Sequence, residues 1–179
     1  IALENARLYR GLEEQLTERK RIERELRMSE RRLREIIDGV PHLIYAKDVE
    51  GRFVLANKAA VVAFGAQSTG LVGRSVREFQ DRYHDFHGAR AVDRDVLESG
   101  TPRLVAEMGF TDASGARLTL QVAKLPIELA DGPTAVLVVG TDITQRKRDE
   151  DEILRLNQEL ENRVRRRTAE LEVANKELE

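Results

Sequence analysis

The sequence predicts an α+β fold: a five-stranded antiparallel sheet with helices gathered on one face, set between two long helices that carry coiled-coil seams. Three observations lead there. Residues 133–148 run from a β-branched apolar segment through one glycine and a short polar turn into a long charged helical pattern. Four earlier segments are strand-like and occur in pairs, each pair joined by turn residues. Both ends of the chain place apolar residues at alternating steps of four and three.

The first helix is expected over residues 1–38. From Ile1 to Ile37 there is no proline and one glycine, Gly11, while Ile1, Leu8, Leu12, Ile22, Leu26, Leu33 and Ile36 form a seam. Gln15, Arg19 and Ser29 interrupt it. A narrow apolar stripe flanked by charge buries little by itself, so it is expected to meet a second stripe rather than lie alone on the domain. Asp38, Gly39 and Pro41 end the helix. LIYAKD and RFVLAN then read as a hairpin turning at Val49, Glu50 and Gly51. Asn57 can cap a short helix through Phe64, which Gly65 closes. Residues 66–80 are turn-rich and leave room for short helical pieces only. Tyr83 to Ser99 carries Phe86, Ala89, Val92, Val96 and Leu97 at helical spacing, and Gly100 stops it.

Arg103 to Thr111 alternates, putting Leu104, Ala106, Met108 and Phe110 on one expected inward face. Asp112 to Gly115 turns the chain back into Arg117 to Ile127, where Leu118, Leu120 and Val122 continue that face. Ala135 to Val139 is apolar on both sides, as a central strand covered twice would be, and Leu33, Ile36 and Ile37 are candidates for the second cover. Thr144 or Asp142 can then cap a helix by accepting from its first free N–H groups. That helix, residues 145–179, carries a second seam of Ile153, Asn157, Leu160, Val164, Leu171, Ala174 and Leu178, with Arg167 as its charged intruder. Asn157 shares its slot with Val164, Leu171 and Leu178. A buried Asn there pairs with its own copy only in a parallel, in-register arrangement, so a parallel homodimer is expected. A frayed, wet Asn157 is the alternative.

Composition narrows the function. At 179 residues with 35% charged side chains, the chain cannot be one compact core, and much of it must be solvated helix. Its 30 basic and 32 acidic residues are mixed throughout, which argues against a nucleic-acid or membrane-surface footprint. Without cysteine there is no disulfide, no cysteine-bound zinc and no thiol nucleophile. No apolar run approaches the roughly 20 residues of a bilayer span, no signal peptide is visible, and a cytoplasmic location is expected. The chain opens at Ile1 and closes at Glu179 within a helical pattern, and is read as part of something larger.

Four stretches follow one another at a telling spacing: YAKDVEGRFVLANKAAVVAFG, GLVGRSVREF, DRDVLESGTPRLVAE and GTDIT. Together they make residues 39–144 resemble a PAS domain, the last stretch being similar to the signature that links the final PAS strand to an output helix. The resemblance implies a hydrogen-bonded joint at Asp142, Ile143 and Thr144. IALENARLYRGLEEQL is similar to the exit helix of a GAF domain, and LNQELENRVRRRTAELEVANKELE to the linker before the dimerisation domain of sensor histidine kinases. These resemblances imply a sensory or relay module, without catalytic residues of its own, between an upstream GAF-like domain and a downstream kinase domain. A dimerising spacer, a haem- or flavin-binding sensor and a module of a nucleotide cyclase stand as alternatives.

The remaining candidates for chemistry are weak. His84 and His87 stand three apart beside Asp81 and Asp85, but zinc needs three or four converging ligands and no further one is evident. The PAS resemblance makes His84 or His87 the candidate for a haem-binding histidine, although the surrounding residues do not resemble the haem-binding subgroup, and the adduct-forming flavin subgroup needs a cysteine. His42, His84 and His87 match no phosphoacceptor motif. Asp93, Asp95 and Glu98 read as a solvated helix face. Arg165 to Arg167 is balanced by Glu159, Glu161 and Glu170. The resemblance puts a pocket between the sheet and the helices, at residues such as Phe79, Val92, Val96, Met108 and Leu120. Ordinary core would show the same alternation, so a small-molecule ligand stays open and a cofactor unknown.

Overall fold

In the computed structural model, residues 2–68, 70–129 and 134–176 are described. Helix α1 spans Ala2–Gly39, followed by strands β1 (Leu43–Lys47) and β2 (Phe53–Ala56) and helix α2 (Lys58–Phe64). A 3-10 segment at Val76–Arg82, kinked at Phe79, leads to α3 (Phe86–Ser99). Strands β3 (Arg103–Thr111), β4 (Arg117–Glu128) and β5 (Thr134–Asp142) and helix α4 (Thr144–Lys176) complete the order. The sheet runs β2-β1-β5-β4-β3 and every neighbouring pair is antiparallel. The last strand therefore lies in the middle, between the two hairpins.

Local chemistry sets the boundaries. Asn57 has extended backbone and its side chain accepts from the Ala60 N–H, while Gly65 closes α2 in the left-handed region at φ 73°. Asp85 caps α3 by accepting from the Gly88 N–H, so this helix starts at Phe86 and not at Tyr83. Tyr83 instead has extended backbone and bridges to Phe110 on β3. Its burial explains the difference, since a tyrosine that fills the core next to β3 cannot also sit on a surface turn of α3.

The core fills the space between the inner sheet face and the helices. Tyr45, Phe53, Phe64, Phe79, Tyr83 and Phe110 form a cluster of rings with centroids 5.1 to 6.1 Å apart, edge-to-face except for the tilted Phe64–Tyr83 contact. Leu120 and Val122 from β4 and Val136 and Val138 from β5 floor it.

Two expectations about faces fail. Leu104 is 68% exposed and Ala106 also points outward, whereas Met108 and Phe110 are buried. A register shift is the cause: Val105 pairs with Val122, but Met108 pairs with Leu120, so β3 carries one extra residue and its inward face changes parity. The proposed second cover of β5 is also absent, for Leu33 and Ile36 are 62% and 64% exposed while Ile37 is half-buried. Hydrogen bonds from α2 hold the end of α1, so α1 leans on α2 instead of crossing the sheet.

Candidate functional site

Each long helix is hydrogen-bonded into the domain by a small polar joint. At the first, the backbone N–H of Asn57 donates to the Ile44 carbonyl at 2.8 Å. Its Oδ1 accepts from the N–H groups of Ile44 at 3.1 Å and Ala60 at 2.9 Å. Its Nδ2 donates to the carbonyls of Ile37 and His42, both at 2.9 Å. One fully buried amide thus clamps the last turn of α1, strand β1 and the first turn of α2. Asp38 adds a second tie by accepting from the Lys58 N–H at 2.8 Å. The sequence signalled the cap but not the clamp, because the partners of Nδ2 lie 15 and 20 residues upstream.

At the second joint, Asp142 Oδ1 accepts from the N–H of Thr144 at 2.8 Å and from its hydroxyl at 2.5 Å. Thr144 Oγ1 in turn accepts from the Thr119 N–H on β4 at 2.8 Å. Ile143, buried between them, donates its N–H to the Thr119 carbonyl at 2.9 Å, and its own carbonyl accepts from Lys147 of α4 at 2.9 Å. Asp142 therefore covers an orphan N–H of α4, and the Thr144 hydroxyl is turned towards the sheet. Ile143 and Thr144 both bond Thr119, a position with no sequence signal of its own, and Asp142 holds Thr144. One turn later, Lys147 Nζ pairs with Glu107 at the β3 bulge at 2.5 Å.

A cleft of about 250 Å³ opens between α3 and the β3–β4 hairpin, lined by Val92, Val105, Met108, His84, Glu107 and Lys124 among others. Of the five expected pocket residues, Val92 and Met108 line this cleft, while Phe79, Val96 and Leu120 are packed into the core. His84 Nε2 lies 3.1 Å from Thr111 Oγ1 and its ring rests on Gly109, where no Cβ could be accommodated. The volume falls just below the roughly 300–1,000 Å³ of ordinary ligand clefts. Among the described residues no three His, Asp or Glu groups converge as metal ligands.

The most unusual chemistry is a buried ionic cluster. Lys47 Nζ donates to Asp93 Oδ2 at 2.7 Å, and Lys124 Nζ donates to Asp93 Oδ1 at 2.8 Å and to the Ala89 carbonyl at 2.6 Å. The three side chains are 4%, 5% and 2% exposed in the order Lys47, Asp93, Lys124. This overturns the reading of Asp93 as a wet residue. Its neighbours Asp95 and Glu98 are exposed as expected, but Asp93 falls one turn before Val96 on the inward face of α3. Burial opposes ionisation of Asp93, yet the two ammonium groups outweigh it and hold the carboxyl below its usual range. Burial pulls Lys47 down to about 8, Asp93 opposing that shift and Lys124 adding to it.

On the long helices, Leu26, Leu33 and Ile36 of α1 and Ile153, Asn157, Leu160, Val164 and Leu171 of α4 are all exposed in the single chain. Leu178 lies outside the described residues. No described helix is long and apolar enough to cross a membrane.

A family model described as the PAS fold matches residues 37–148. The chain belongs to the PAS family. The match covers the whole sheet, α2, α3 and both helix joints. The virulence sensor protein BvgS of Bordetella bronchiseptica is 39% identical over 96 residues, 54% of this chain and 7% of that protein. The methanogenesis regulatory histidine kinase FilI of Methanothrix harundinacea is 28% identical over 154 residues, 85% of this chain and 17% of that protein. The chain thus spans a small part of the length of both relatives. Among solved structures, the PAS domain of an HTR-like protein from Haloarcula marismortui aligns with a TM-score of 0.57 at 21% identity, over 69% of this chain and 99% of that one. A PAS domain from Colwellia psychrerythraea aligns with a TM-score of 0.53 at 17% identity, over 66% and 98%. At those identities the likeness shows the PAS fold alone.

Proposed function

We propose that the chain is a relay module of a two-component sensor histidine kinase. Residues 39–144 are the PAS domain, 1–38 the helix that brings a signal in and 145–179 the helix that carries it out. The joint of Asp142, Ile143 and Thr144 on Thr119 carries this reading. It makes the first turn of α4 continuous with two inner strands of the sheet, β4 and β5, so a change in strand position tilts or rotates the helix. The exposed seams support pairing of two copies in parallel, with Leu26, Leu33 and Ile36 meeting their counterparts upstream and Ile153 to Leu178 downstream. A GAF-like domain would then feed α1 and a kinase domain would follow α4. BvgS is a sensor and FilI a histidine kinase, which supports a kinase over a nucleotide cyclase as the output. The ATP such a kinase consumes puts the module in the cytoplasm.

Replacing Asp142 by Ala in the full-length parent tests the relay. The ratio of autophosphorylation between signalling states should fall about fivefold or more, the scale of a coupling of about 1 kcal/mol. An unchanged ratio sinks the mechanism. The packing of Phe79, Val96 and Leu120 also favours a second reading, a ligand-free spacer relaying from upstream. On that reading a bulky Val92→Trp in the cleft leaves regulation intact.

A further inference from the structure

Beside the ionic cluster, on the side of the β1–β2 turn, lies a separate cavity of about 60 Å³. Lys47, Asp93, Arg90, Arg94, Leu97 and Val136 form most of its wall, and Asp48 stands at its rim. Its charges do not balance. Lys47, Arg90 and Arg94, with Lys124 behind, face only Asp93 and Asp48, and the Asp93 carboxylate is already divided between two ammonium groups. Arg90 is half-buried with its guanidinium packed over Gly51 at the hairpin turn. Among the described residues, neither Arg90 nor Arg94 has an ion pair or a hydrogen bond, whereas most of the charged side chains on α1 and α4 have found partners at helical spacing. Arg94 is exposed, but Lys47 is buried and Arg90 half-buried, and cations so placed without matching charge are disfavoured unless an anion joins them.

We propose that this cavity is a binding site for a small planar oxyanion, a short carboxylate or an inorganic ion of the same shape. Arg90 offers a flat fork that meets two oxygens side by side, and Lys47 supplies a point charge to the same cavity. At about 60 Å³ the cavity is of the size for formate, acetate, nitrate or bicarbonate and small for nucleotides and sugars. A bound anion links α3 to β1, the strand that pairs with β5 from Leu43 to Lys47, and so lies one strand from the origin of the output helix. Binding itself does not depend on the relay reading; only its effect on output does.

The test is titration of the isolated chain, followed by thermal shift and by 1H–15N NMR, with sodium formate, acetate, nitrate and bicarbonate at constant ionic strength, chloride and sulfate serving as references. Saturable binding of at least one planar anion is expected, with the largest shifts at Lys47, Arg90 and Asp93. Arg90→Gln, a change at a half-buried position outside the core, should keep the native spectrum and weaken that binding at least tenfold. Lys47→Met, which leaves Asp93 paired with Lys124, should do the same. Which of the four anions saturates at the lowest concentration identifies the source, organic or inorganic. Equal, unsaturated shifts with chloride and sulfate, or undiminished affinity in Arg90→Gln, overturn the proposal, and neither outcome touches the autophosphorylation test of the relay.

Discussion

Two ammonium groups share the Asp93 carboxylate inside the PAS core, so Asp93→Asn leaves both without their counter-charge. Breaking a buried pair by removing one partner costs about 3–5 kcal/mol, and urea unfolding of the isolated chain at pH 7 should show a loss of that size. A loss under 1 kcal/mol would mean that water reaches the cluster. Lys47 gives the same cluster a signature in pH. Its folded pKa of about 8 lies below the ordinary 10.5, so between those values the unfolded chain binds more protons and stability rises with pH. The charged ammonium is a cost present in full below pH 8, worth up to ~3 kcal/mol. Unfolding free energy should therefore climb from pH 8 towards 10 in the natural chain and lose that climb in Lys47→Met. Above pH 10 the trend turns, because Tyr45 and Tyr83 are buried and stay protonated when unfolded tyrosines would ionise. None of this was legible along the chain. Asp93 sits between Val92 and Arg94 in a run that reads as charged surface, and its partners are 46 and 31 residues away.

Elements were legible where their determinants are local. The cap at Asn57, the left-handed glycines Gly65 and Gly100, and the turn at Asp112 to Gly115 each act over three or four residues, and each falls where its chemistry puts it. The β3 bulge was not legible, since the extra residue between Val105 and Met108 exists only in relation to β4. It moves Leu104 and Ala106 to the outer face and leaves Glu107 free to reach Lys147 of α4. The clamp at Asn57 belongs to this scale too, since one side chain fixes the angle between α1 and the sheet. Asn57→Ala removes a buried hub whose partners are backbone groups, and each unsatisfied group costs about 1–3 kcal/mol. The isolated chain should be destabilised by more than an N-cap alone explains, about 1 kcal/mol, and amide exchange should quicken first near Ile37 and Ile44. Faster exchange confined to α2 would reduce Asn57 to a cap.

At the scale of the whole molecule, the proposed pairing of two copies rests on the two helix seams. The seams of α1 and α4 are exposed in one chain, and isolated helices of such narrow apolar stripes gain little from propensity alone. If Asn157 is paired with its copy in a parallel coiled coil, Asn157→Val should raise the thermal midpoint of the dimer while loosening its orientation. Disulfide trapping through Leu160→Cys on the seam would read this directly: near-complete cross-linking of parallel, in-register copies in the natural background and incomplete cross-linking when Asn157→Val is added. A lower midpoint, or no dimer by sedimentation in the natural sequence, removes Asn157 from the seam.

By itself the sequence determined the fold class and the order of elements. Periods of two and of 3.5, caps and turn glycines are short-range signals, and the PAS stretches recur in a fixed order along the chain. The tertiary structure alone decided what is buried with what. It brings Thr119 to the start of α4, carries two lysines from separate strands to one aspartate, and sets Arg90 at the wall of the same small cavity as Lys47 and Asp93. The physical reason is that burial and charge pairing are set by residues distant in the chain, and a charged residue looks the same in sequence whether its partner is water or another side chain.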